Sequence, residues 1–160
     1  MRKQIVGMQL VFALSAATVV SGCRGSSTEG TDWHGNFAKG HVQNLAIEYS
    51  GFIATHNKPP TSLEELIKNR GYSDFSEIKD AFHPFLGVRD GRYIVIWNVE
   101  PGKQDPSSEY YILAYEAKPG PNGKRWVGRI KQVGPQWTSA DPVELTEEEF
   151  QKAPKVKPSS

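Results

Sequence analysis

FAKGHVQNLAIEYSGFIATHNKPP, residues 37–60, is the stretch on which the fold turns. Val42, Leu45, Ala46, Tyr49, Phe52 and Ile53 recur at helical spacing, with Lys39, Gln43, Glu48 and Thr55 elsewhere. That is the pattern of an amphipathic helix from about Phe37 to His56. A stripe this apolar requires a partner surface. Asn57-Lys58-Pro59-Pro60 ends the helix, since proline carries no amide hydrogen and restricts the residue before it. Thr61 or Ser62 can cap a second short helix carried by Leu63, Leu66 and Ile67 and closed by Gly71, with Ser62 and Glu65 at capping-box spacing. A third helical piece is expected between Asp74 and Phe82, before His83-Pro84.

Beyond Pro84 the pattern changes to strands. Arg89-Asp90-Gly91-Arg92 is a turn signal, and Tyr93-Ile94-Val95-Ile96-Trp97-Asn98-Val99, apolar on both faces in its middle, reads as a central strand. A polar loop, Glu100 to Ser108, leads to a strand over Tyr110 to Tyr115. Lys118 to Lys124 forms a turn whose Asn122-Gly123 pair suits a hairpin. The next strand, Arg125 to Val133, places Trp126 and Ile130 on one face, with Arg129 and Lys131 on a face expected to meet water. Pro142 to Leu145 adds a short edge strand; Thr146 caps a last turn through Glu149, and Phe150 docks it. The expected class is α+β: an N-terminal amphipathic helix on an antiparallel sheet of three to four strands, over residues 37–154. The tail KVKPSS, residues 155–160, is expected to be frayed.

The amino-terminal end has a different character. Arg2 and Lys3 precede an apolar run, residues 5–20, in the layout of an export signal. The run is shorter than the ~20 apolar residues of a membrane-spanning helix. It ends in Val20-Ser21-Gly22-Cys23, which resembles the lipobox of bacterial lipoproteins. The resemblance implies a signal peptide over residues 1–22, cleaved between Gly22 and Cys23, with a diacylglyceryl group on the Cys23 thiol and an acylated new amino terminus. Acyl chains would then bind the protein to the membrane. Arg24 stands where the resemblance would place an inner-membrane retention Asp, which points to the outer membrane. Residues 24–36, RGSSTEGTDWHGN, read as a tether with a reach of roughly 20 Å.

Charge and cysteine usage narrow the chemistry. Nineteen Lys and Arg balance 18 Asp and Glu, and removal of Arg2 and Lys3 changes the net charge from +1 to −1. A near-neutral chain is a poor electrostatic partner for nucleic acid. With Cys23 acylated, no thiol remains for a disulfide, a metal site or a nucleophile. No cofactor is expected.

The segments Leu45 to Tyr49, His56 to Leu66, Asp90 to Trp97, Ile112 to Glu116 and Leu145 to Phe150 together resemble the globular half of major, G-type pseudopilins of type II secretion. More specifically, they are similar to exported bacterial proteins with pseudopilin-like domains. The resemblance implies helix, proline-marked crossover and antiparallel meander, and brings no catalytic constellation. Two departures speak against a filament subunit. Phe12 stands where the family carries the Glu needed for assembly after a Gly7-Met8 cleavage site, and Gly22, Gly25 and Gly30 interrupt any continuous helix from the membrane. The family's late calcium loop finds no counterpart beyond Asp105 and Glu109, read as solvated charges.

Candidate residues each meet a structural alternative. His34, His41, His56 and His83 lack metal-ligand spacing, and His56 reads as a helix-end residue. Ser62 reads as a cap rather than a nucleophile, and Glu147 to Glu149 favour a helix start. Tyr93, Trp97, Tyr110, Tyr111, Tyr115 and Trp126 are cross-strand packing or the lining of a groove. Trp97 and Tyr111 are the ligand contacts in the second case. Trp33 and Trp137 lie in loop-like contexts suited to contacting a partner or the membrane interface. The function expected is therefore a lipid-anchored, non-enzymatic envelope component that contacts another envelope protein. The alternative is a small-molecule, glycan or peptide binder using an aromatic sheet face, with a type II secretion accessory component third. An aromatic-lined cleft on the sheet separates the first two.

Overall fold

The computed structural model describes residues 37–100, 103–134 and 136–159. One long helix, α1 (Ala38–His56), packs across a four-stranded antiparallel sheet, with short helices in the crossover and near the carboxyl end. The expected α+β architecture is present. All six stripe residues of α1 are buried, joined by Ala38, His41 and Ser50. Asn57 closes the helix in a left-handed conformation, φ 54°, donating its amide hydrogen to the Ile53 carbonyl at 2.8 Å. Asparagine tolerates that conformation better than other residues with a side chain.

The crossover differs from the expectation in three places. In α2 (Leu63–Asn69), Ser62 occupies the cap position but makes no side-chain cap bond. The Glu65 carboxylate instead accepts from the Thr61 amide at 2.7 Å and the Thr61 hydroxyl at 3.2 Å, one residue earlier than capping-box spacing suggests. Between Asp74 and Phe82 only a 3₁₀ turn forms, Phe75–Glu77, with Asp74 accepting from the Ser76 amide. The helix comes later, as α3 (Pro84–Arg89). Pro84 starts it because the missing proline N–H falls where no intrahelical acceptor exists. His83 caps it, its Nδ1 accepting from the Phe85 amide at 3.2 Å.

The strands run β1 (Tyr93–Val95), β2 (Tyr111–Glu116), β3 (Lys124–Val133) and β4 (Gln136–Thr146), in that order across the sheet. The apolar run after Gly91 is therefore an edge strand, not a central one, and Ile94 is 40% exposed. Its second half leaves the ladder to pack on the helix. Ile96 still donates to Leu113, but Asn98 turns at φ 56° and donates to Pro60, while the buried Val99 donates its amide to the Tyr49 hydroxyl at 2.9 Å. Apolar character on both faces thus reflects a strand followed by a core-packed loop. β4 is longer than the expected Pro142–Leu145 and takes in Trp137. Pro142 is tolerated because β4 has a strand neighbour on one side only.

The face of β3 expected to meet water carries a second core. Ile112, Val127 and Phe150 are buried together, flanked by Tyr115, Val143, Leu145 and Ala153. Phe150 arrives on α4 (Glu147–Lys152), whose start is a complete Thr146–Glu149 capping box, as the sequence predicts. Arg125 is buried there as well. Its guanidinium pairs with Glu147, donates to the Glu116 carbonyl at 2.9 Å and lies 4.2 Å over the Phe150 ring.

The tail is docked rather than frayed. Lys155 bridges Ile112 in parallel, with Ile112 donating to Pro154 and Val156 donating to Ile112. Val156 is 3% exposed, and Gln104 brackets Lys157 through both its amide and its carbonyl. The domain therefore runs through residue 159. A tail with a single apolar residue, Val156, carries no periodicity from which this could be read.

Helix and sheet come into backbone contact at Gly128. A Cβ there would lie 2.1 Å from the Val42 carbonyl oxygen, inside any allowed contact. Gly51, also in α1, has open space around a Cβ. Gly128→Ala is expected to destabilise the fold by about 3 kcal/mol or more, because the obstructing atom is helix backbone. Gly51→Ala is expected to stabilise it by about 0.5–1 kcal/mol through helix propensity. Urea unfolding of both variants checks the opposite signs.

Candidate functional site

The amino-terminal half of α1 and the crossover enclose a groove of about 360 Å³. Its rim is apolar. Phe37 and Phe82 stack at 5.5 Å between ring centres and 19° between planes. They are 44% and 52% exposed, and Ile47, also lining the groove, is 45% exposed. Three of the five large hydrophobic side chains that the described residues expose therefore gather at this one site. Scattered surface hydrophobics are ordinary, whereas gathered ones mark contact surfaces.

The floor is polar and already engaged. His41 shares a 3.0 Å hydrogen bond with the Tyr93 hydroxyl and meets that ring edge-on at 5.5 Å. Glu48 pairs with Arg70, joining helix to crossover. Asp80 accepts from the Phe82 amide at 2.9 Å, and the His83 amide donates to the Asp80 carbonyl at 3.0 Å, which together fix the loop presenting Phe82. His83 packs edge-on against Tyr72 and tilted against Phe85. Burial, and secondarily the Arg92 charge, pushes the His41 pKa below its ordinary value, with Asp80 acting the other way. Burial lowers His83 also. Its capping role acts in the same direction, since an Nδ1 that accepts from an amide cannot carry a proton. Burial raises the Tyr93 phenol, with the Glu116 charge second. The site therefore holds neutral imidazoles and a protonated phenol near neutrality.

Of the aromatic residues singled out in the sequence, Tyr93 meets this site through His41, and the other candidates lie elsewhere. Tyr111 is 4% exposed in the main core. Trp97 is half-buried against that core, its ring 6.2 Å from that of Tyr49. Trp137, expected in a loop, is a buried β4 residue meeting Tyr111 edge-on at 5.8 Å, so it offers no surface to a partner. Its apolar body is needed inside because that part of β4 lies under α1. Tyr110 lies beneath Arg129 at 4.5 Å and, with Tyr111, lines a second groove of about 300 Å³ bordered by Val143, Leu145 and Pro154. His56 stacks on Phe52 at 4.2 Å and closes the helix end, as expected. Asp105 closes a turn by accepting from the Ser107 amide, and no metal-binding group of three His, Cys, Asp or Glu occurs among the described residues. Gly22, Cys23, Trp33 and His34 lie outside the described residues.

The groove was not predicted from the sequence. Ile47 carried a signal, since it is an aliphatic residue off the helix stripe. Phe82 carried none, because its exposure depends on a crossover path that no periodicity marks.

Fold and groove together define an α+β domain with an apolar-rimmed groove. No family model, curated protein or solved structure matches the chain.

Acid should loosen this site first. Both histidines have folded pKa values below the ordinary 6.5, so the unfolded chain binds more protons in that window and stability falls as pH drops below about 6.5. The exposed carboxylates contribute only at lower pH, near and below their ordinary range. Urea unfolding between pH 7 and 5 is expected to show this slope. His41→Gln combined with His83→Gln should flatten it, and an unchanged slope would show that the histidines do not set it.

Proposed function

We propose that this chain is a lipid-anchored protein of the bacterial cell envelope, held by acyl chains on Cys23, with a non-enzymatic role exercised through docking onto another envelope component. The observation that carries this reading is the gathering of Phe37, Ile47 and Phe82 around one groove on the amino-terminal half of α1. The anchor itself is supported by the charged tip, the apolar run and Val20-Ser21-Gly22-Cys23. Arg24 supports an outer-membrane address. The non-enzymatic reading is supported by the groove's ionisable groups: His41, His83, Asp80 and the Glu48–Arg70 pair are each engaged in the fold's own contacts. The order of long helix, proline-marked crossover and antiparallel meander fits a pseudopilin-like globule, and a supporting part in secretion is compatible with it. The ligand-binding alternative keeps one point of support, since Tyr110 and Tyr111 both line the second groove, while Trp137 is consumed by the core.

Expression of the full chain in a bacterial host with a labelled fatty acid tests the anchor. The wild type should incorporate label and sediment with membranes after a salt wash. Cys23→Ala should do neither. Sedimentation of the variant to the same extent, or an unlabelled wild type, would overturn the anchor.

A further inference from the structure

We infer that the second groove and the polar recess beside it form one binding site for a small monocarboxylic acid with an apolar body. The acid group is held by Arg129 and Lys131, and the site is independent of the anchor and of the Phe37–Phe82 rim. The apolar part, about 300 Å³, has Ile112, Val143, Leu145 and Ala153 in its lining. A recess of about 290 Å³ adjoins it, with Gln43, Lys131, Ser139 and Asp141 in its lining. Tyr110 and Arg129 line both, so the two parts share one pair of side chains.

The backbone is irregular where it places Arg129. Ile112 and Arg129 are partners across β2 and β3, and the register shifts beside them, between Ile112 and Ala114 on one side and between Val127 and Arg129 on the other. Bulges of this kind re-aim side chains next to binding sites. The Arg129 guanidinium lies 4.5 Å over the Tyr110 ring, and the Lys131 ammonium lies 6.0 Å from the same ring centre. The Tyr110 hydroxyl is hydrogen-bonded to the Glu109 carboxylate, whose charge holds the phenol pKa above its ordinary value. Two cations are thus gathered on one ring that is itself fixed from its other end.

The charge of Arg129 is not matched within the fold. Arg70, Arg89, Arg92 and Arg125 are each ion-paired, whereas Arg129 is the one arginine among the described residues without a carboxylate partner. It donates its Nε hydrogen to the Asp141 carbonyl at 2.9 Å, and its remaining guanidinium donors have no acceptor among the described residues. That planar fork matches a carboxylate with two parallel hydrogen bonds. With Glu109 engaged by Tyr110, the recess sets Arg129 and Lys131 against Asp141 alone, a balance that suits one negative charge better than the two of a phosphate monoester. Size limits the rest of the ligand. At roughly 30 Å³ for each water-sized group, the apolar part takes about ten such groups, one ring or a short chain. Aliphatic walls with a few placed polar groups are the usual make-up of a small-molecule site.

The test uses the full chain with methyl-labelled Ile, Leu and Val, in bilayer nanodiscs if Cys23 is acylated and in buffer otherwise, so that its outcome does not depend on the anchor. Phenylpropionate is titrated in, with empty nanodiscs correcting for partition. The methyl resonances of Ile112, Val143 and Leu145 are expected to shift and saturate, with a dissociation constant of about a millimolar or tighter. Phenylpropanol keeps the ring and lacks the charge, and should bind about fivefold more weakly. Arg129→Gln and Lys131→Gln should each remove most of that preference and leave the affinity for the alcohol unchanged, which separates lost charge from a lost fold. Lys131→Gln serves alone if Arg129→Gln disturbs β3. Unmoved methyls, equal binding of acid and alcohol, or a preference that survives substitution would overturn the inference. A peptide ending in phenylalanine that bound about tenfold more tightly than the acid would also overturn it, in favour of a protein carboxyl terminus.

Discussion

The approach of α1 to β3 at Gly128 is the constraint on which the remaining packing rests. With the Val42 carbonyl sitting where a side chain would begin, helix and sheet are closer than two layers bearing ordinary side chains permit. Val42, Leu45, Ala46 and Tyr49 are completely buried in the core between the two layers. At the carboxyl end Tyr49 reaches Val99 and ties the loop after β1 to the helix. At the amino end His41 reaches Tyr93. Both bonds link the helix to the run 93–99 from its two sides, which is why three ladder residues suffice to hold an edge strand there.

The sheet's other face is organised by charge as much as by apolar contact. Arg125 is enclosed between Glu116, Glu147 and the Phe150 ring, and the Glu116 carboxylate accepts from the Trp126 amide at 2.8 Å. A buried cation is costly unless paired and hydrogen-bonded, and this one is both. The arrangement explains why a six-residue helix, too short to be stable alone, stays docked. Its capping box satisfies its first amides, and Phe150 lies between two cations, Arg125 and Lys155, each about 4 Å from the ring centre. The tail then follows along β2 because Lys155 is already held in place.

The elements with strong local codes were legible. The stripe of α1, its Asn-Pro-Pro stop, strands β2 and β3, the Thr146 capping box and Phe150 as a docking residue were all readable from spacing alone. The elements misread were those whose character is set by tertiary partners. The 93–99 run looks central because half of it packs on Tyr49 rather than in a ladder. Trp137 looks like a loop residue because Gly134-Pro135 precedes it and Ser139-Ala140-Asp141-Pro142 follows it, yet β3 pairs it into the sheet. The back face was expected to be wet because Arg129 and Lys131 lie on it; Arg125, on the same face, is buried, and nothing local reveals that Glu147 is its partner. Of the groove, Ile47 alone left a trace.

These contacts also account for why the apolar rim stays exposed instead of folding into the core. The loop carrying Phe82 is bonded to itself through Asp80, pinned to α3 through His83, and held beside α1 by the Glu48–Arg70 pair at the neighbouring corner. Each of these is a directional polar contact that sets where the backbone runs. None of them draws the Phe82 ring inward. Phe37, one residue before the first turn of α1, is fixed by the helix axis, which Gly128 and Tyr93 hold against the sheet. The ring pair is thus positioned from both sides by interactions beneath it.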